Sequence, residues 1–182
     1  MVGNSESLPG KGKKIIIQYS GLFDFDGLYA AIIDWAKLYG FQWEEVDFKH
    51  KVPNPKGAEQ EFKWTMSKKI TDYIGNKITI TVHMWDLQEV EVESGGKKRM
   101  FSNARLYLWL EPVVEFDWQK RFQEGGKLAK LLGKWYNQVM DREYSNYLDQ
   151  LYYRTWDLQA IIKSYFGMQS KKHAYKKYMG EN

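Results

Sequence analysis

An imidazole and a carboxylate stand close together at His83 and Asp86, and such a pair does acid/base chemistry when both side chains point the same way. On a straight strand their odd separation sends them to opposite faces. A change of apolar phase around Trp85 and Leu87 implies a bend that would bring them together. Without that convergence His83 reads as one more polar residue on the strand face that carries Thr79 and Thr81. The other histidines, His50 and His173, are too scattered to build a local metal site. Glu44, Glu45 and Asp47, like Glu89, Glu91 and Glu93, read as solvated strand faces or as edge charges that discourage strand-to-strand association. The chain has 0 Cys, which removes thiol nucleophiles, thiolate metal sites and disulfides together. It also lacks a Gly-x-Gly-x-x-Gly turn, a Walker-type loop and a Gly-x-Ser-x-Gly elbow. No residue is put forward as catalytic, and no cofactor or metal is implied.

The segment Asp24-Phe25-Asp26-Gly27 resembles the Asp-x-Asp signature of the haloacid-dehalogenase-like phosphatases. That resemblance implies a nucleophile at the first carboxylate and proton handling at the second. The pattern departs at Leu28, where the family usually has Thr, and no later Gly-Asp-x-x-x-Asp cluster follows to hold Mg²⁺. Asp24 or Asp26 is therefore read as the cap of a helix whose Leu28, Ile32, Trp35 and Tyr39 repeat at helical spacing before Gly40 ends it.

A formal charge of +4 suggests an anionic partner until it is divided along the chain. Residues 169 to 182 hold Lys171, Lys172, Lys176 and Lys177 against Glu181, a net +3, and residues 1 to 14 carry +2, which leaves the body at −1. The four tail lysines alternate with aromatic residues, as a contact to nucleic acid or to an anionic membrane surface would. The same composition also serves simply to keep a terminus solvated. Residues 1–12 read as a flexible leader without an apolar stretch, and no run approaches the roughly 18 apolar residues of a membrane span. A cytoplasmic address is the expectation.

At 182 residues the chain is expected to form one domain over residues 13–168, followed by a basic tail at 169–182. Its hydrophobic share of 43% is ordinary, but 8 Trp, 13 Tyr and 9 Phe are an unusual load of rings to bury. Lys13 to Ser20 reads as a strand, and its three consecutive isoleucines suggest a central position buried on both faces. Phe41 to Lys51 reads as a strand with a bulge near Glu44 and Glu45. Phe62, Trp64 and Met66 share one face of the next strand. Lys77 to Glu93 and Lys98 to Glu111 form a hairpin around Gly95-Gly96, with Ala104, Leu106, Leu108 and Leu110 on one face. Pro112 then interrupts, and a further strand is expected through Val114, Phe116 and Trp118. The fold class is α+β: an antiparallel sheet of about six strands, one helix after the first strand, and a long C-terminal helical region.

From Lys127 to Met168 the period is helical, through Leu128, Leu131, Leu132, Trp135, Tyr136, Val139 and Met140, then Tyr144, Tyr147, Leu148, Leu151, Tyr152, Thr155, Leu158 and Ile162. Unbroken, it would measure roughly 60 Å, more than a domain of this size is wide, so a bend near Asp141 to Glu143 is expected. The element order is similar to that of the helix-grip folds, the START-like family. That resemblance implies an apolar cavity between sheet and helix, with Trp64, Trp109 and Trp135 as lining residues. Tyr153, Trp156, Ile161 and Phe166 add apolar surface outside the main stripe, and they point to an interaction face for a copy of the chain or for another protein. The leading expectation is thus a non-enzymatic interaction or assembly protein. The alternatives are a module that encloses an apolar small molecule or lipid, and a nucleic-acid contact through Lys171, Lys172, Lys176 and Lys177.

Overall fold

The computed structural model describes residues 14–54, 57–94, 97–120, 122, 126–139 and 141–168. Within them the chain folds as β1 (Ile15–Phe23), α1 (Phe25–Leu38), β2 (Gln42–Asn54), β3 (Gly57–Lys69), β4 (Ile74–Ser94), β5 (Lys97–Phe116), α2 (Lys127–Val139) and α3 (Asp141–Tyr165). The strands pair throughout as antiparallel neighbours in one sheet of order β1-β5-β4-β3-β2.

The sheet has five strands rather than about six, because β5 runs straight through Pro112. A proline lacks the N–H that a central strand needs. Pro112 faces Ile78 of β4 and lies beyond the last described pair of the β1 ladder, Ile15 with Leu110. The position of β1 also differs from expectation. It is an edge strand, with Ile15 and Ile17 buried and Ile16 46% exposed on the opposite face.

The alternation elsewhere holds. Ile78, Ile80, Val82 and Met84 of β4 and Ala104, Leu106, Leu108 and Leu110 of β5 are all buried on the face that the helices cover. The expected bulge in β2 falls between Glu45 and Asp47, and it returns Phe48 to the side of its partner Phe62. A second irregularity separates Trp85 from Gln88, with Asp86 in the left-handed region at φ 56. It depends on Gly57 across the ladder, whose own φ is +134 and where an added Cβ would lie 2.5 Å from the Asp86 carbonyl carbon.

Asp24 caps α1, its carboxylate accepting the Gly27 N–H at 2.8 Å, and the helix closes at Tyr39 and Gly40 as its sequence suggests. The C-terminal helical region divides as expected, α2 ending at Val139 and α3 starting at Asp141. Helix α3 buries Leu151, Thr155, Leu158 and Ile162, residues spaced at three and four, against the sheet. Its flank meets α1 through a polar lock. Asp157, 7% exposed, accepts a hydrogen bond from the Trp35 indole at 2.9 Å and a longer one from the Tyr39 hydroxyl at 3.5 Å. The Arg154 guanidinium lies 4.2 Å above the Tyr39 ring.

Of these two hydrogen bonds, removing the indole N–H leaves the buried Asp157 only the longer one, which Tyr39 donates. Trp35→Phe should therefore lower stability by about 2 kcal/mol and the melting temperature by about 6 °C. Asp157→Asn, which keeps an acceptor oxygen, should cost less. Thermal denaturation followed by circular dichroism measures both, and an unchanged Trp35→Phe melting point would show that the lock is not formed.

Candidate interaction surface

Helix α2 divides into three sectors, each about a third of its circumference at 3.6 residues per turn. One sector carries Ala129, Gly133, Tyr136 and Asn137, the second Leu128, Leu131, Leu132, Trp135 and Val139, and the third Lys127, Lys130, Lys134 and Gln138. A soluble domain usually turns the leucine sector inward. In this fold the small and aromatic sector faces in. Leu128 is 83% exposed, Leu131 66%, Leu132 54%, Trp135 59% and Val139 56%.

The inward sector is anchored at a corner of the sheet. Tyr73, in the turn between β3 and β4, donates its hydroxyl to Asn137 Oδ1 at 2.5 Å, and its ring meets that of Tyr136 edge-on at 4.7 Å. Phe122 completes the seat, 5.9 Å from Tyr73 and 6.2 Å from Tyr136 between ring centroids. Gly133 allows this approach, since a Cβ there would lie 3.0 Å from Phe122 Cβ. Asp117 braces Phe122 by accepting its backbone N–H at 2.9 Å. Burial, then the charge of Asp117 and the neighbouring Tyr136, push the Tyr73 phenol up to about 12. The hydroxyl thus remains a donor throughout the neutral range.

The residues expected to form an interaction face, on α3 and in the turn that follows it, are placed differently from one another. Tyr153, Trp156 and Ile161 are half-buried, with Trp156 5.3 Å from Tyr152. Phe166 is in the core, stacked on Tyr19 at 4.6 Å and edge-on to Phe23 at 5.3 Å. The candidate cavity residues are not brought together. Trp64 is 1% exposed and packs among Phe25, Tyr29, Trp43 and Phe62. Trp109 is on the other face of the sheet, opposite Ile16 and Thr81 and beneath the Lys14 ammonium at 4.5 Å. Trp135 points outward from α2. Lys171, Lys172, Lys176 and Lys177 lie outside the described residues.

His83 does not meet Asp86. The irregularity at Asp86 turns that carboxylate to Arg105 at 2.7 Å, while His83 Nε2 lies 2.7 Å from Glu59 and its ring stacks on Trp85 at 3.8 Å. Glu59 also accepts from Lys51 at 2.7 Å, and these two partners, Lys51 first, hold its carboxyl below the usual range. These contacts form a polar network on the sheet face opposite the helices, in which Lys51 with Glu59 and Arg105 with Asp86 are ion pairs. Among the described residues no group of His, Asp and Glu is arranged to hold a metal ion. No described helix is long and apolar enough to cross a membrane.

Sequence reasoning identified the α2 leucines as one stripe but assigned them to the core. Two signals pointed the other way: a glycine at the middle of the helix, and a polar sector made of lysines and Gln138 with no carboxylate between Lys127 and Val139.

The Tyr73 anchor has a titration signature. Its neutral form is the one the fold favours, so its contribution to stability is full below pH 10 and is lost as pH rises through about 12. An absorbance titration of phenolate should show a last tyrosine ionising near 12 that Tyr73→Phe removes, at a stability cost of about 1 kcal/mol. Tyrosines that all ionise together near 10 would contradict the anchor. The chain matches no protein-family model, no curated protein and no solved structure.

Proposed function

We propose that the protein is a non-enzymatic docking module and that its working surface is the outward sector of α2. The observation that carries this reading is the exposure of Leu128, Leu131, Leu132, Trp135 and Val139 on a helix whose opposite sector is anchored to the domain. Burying what remains exposed of these side chains would contribute on the order of 5 kcal/mol. Most of that offsets the freedom lost on association, so docking through this face alone is expected to be weak. The surface is built in advance, because Tyr73, Phe122 and Gly133 fix the helix whether or not a partner is present.

The half-buried Tyr153, Trp156 and Ile161 of α3 are candidate rim residues for the same role. A cytoplasmic address goes with this reading. The cavity reading is less favoured, because the three tryptophans proposed as its lining have three separate environments.

The surface is tested by the pair wild type and Leu131→Glu. Leu131 is 66% exposed, so the variant should keep its melting temperature. Wild-type protein should enhance the fluorescence of an apolar dye such as anilinonaphthalene sulfonate, and the variant should lose most of that enhancement. Light scattering should in parallel report any mass increase with concentration and its loss in the variant. A folded wild type that neither enhances the dye nor associates would mean that the face is covered by the chain itself, and the reading would fall.

A further inference from the structure

We infer that the surface docked by α2 is an anionic lipid headgroup layer, with the helix lying in its plane. This rests on the reading of α2 as a docking face and names what it docks to. The chemistry is in the third sector. Lys127, Lys130 and Lys134 are exposed, form one row along the helix, and make no ion pair among the described residues. They border the apolar sector on the side away from Tyr136. Leucine and tryptophan beside a row of lysines, on a helix about 20 Å long, is the composition of interfacial helices that bury one face at the headgroup boundary. Lysine stems extend along the apolar surface while their ammonium groups reach the phosphates.

The geometry separates this occupant from others. A second copy of α2 would offer the lysines no carboxylate, since the helix has none. A protein groove that takes the apolar sector would need, besides a seat for the leucines, carboxylates set opposite the row of Lys127, Lys130 and Lys134. A planar surface needs only the side that is open. Nucleic acid would satisfy the lysines but leave the five apolar side chains in water.

Flotation of the full chain with phosphatidylcholine vesicles, with and without phosphatidylserine, tests the inference. At low salt the phosphatidylserine vesicles should bind on the order of a hundredfold better, from roughly 1 kcal/mol for each lysine, and the preference should shrink at high salt. Lys127→Gln, Lys130→Gln and Lys134→Gln together should abolish the preference, and Leu131→Glu should abolish binding to both vesicle types while the fold is retained. Equal binding to both vesicles by wild type, or none, overturns the lipid inference. If vesicles fail while light scattering shows self-association that Leu131→Glu disperses, the docking face stands and its occupant is a protein. If vesicle binding, dye enhancement and self-association are all absent, both readings fall.

Discussion

The apolar face of the five-stranded sheet has to be covered, and the buried Asp157 determines how. Its side chain accepts from the Trp35 indole and, at longer range, from the Tyr39 hydroxyl, so sliding or rotating α3 along the sheet would leave a buried acceptor without its donors. With that contact made, Thr155, Leu158 and Ile162 fall on β5 and its neighbours, and Phe166 reaches Tyr19 and Phe23 at the other end of the helix. The aromatic excess is largely spent here, in rings that bridge α1, α3 and strands β1 to β3.

Placement of α2 follows from the same constraint. Helices α1 and α3 take up the sheet's apolar face, and α2 is left a corner lined by Tyr73, Phe116 and Phe122. A corner covers about a third of a helix. Tyr136, Gly133 and Asn137 suit it, because a ring, a bare backbone and an amide make one compact seat. The leucines are then outside by elimination. Five large apolar residues of one helix are thereby left in water, beside Lys127, Lys130, Lys134 and Gln138.

Much of this was legible in the residues, and what was not has identifiable causes. Strict alternation in β4 and β5 marked the core face, Asp24 and Gly40 bounded α1, and the broken phases at Val46 and Trp85 marked the irregularities. Periodicity locates an apolar arc on a helix but carries no information on what stands opposite it. The direction of the α2 arc is decided by Tyr73, which is remote in sequence, and by a close approach at Gly133. The partner of His83 was hidden for a similar reason, since the backbone turn at Asp86 sends its carboxylate to Arg105 and leaves Glu59 as the neighbour. The edge position of β1 was obscured by three isoleucines, one of which is simply exposed.

The absence of cysteine makes the exposure of this face directly measurable. A single Leu131→Cys carrying an environment-sensitive fluorophore reports one point on the outward sector without competing thiols. In the folded protein alone the label should emit as it does in water. Anionic vesicles should shift its emission to the blue, and neutral vesicles should shift it far less. A label already shielded in the free, folded monomer would contradict the outward orientation of α2, and with it the docking surface on which the functional reading rests.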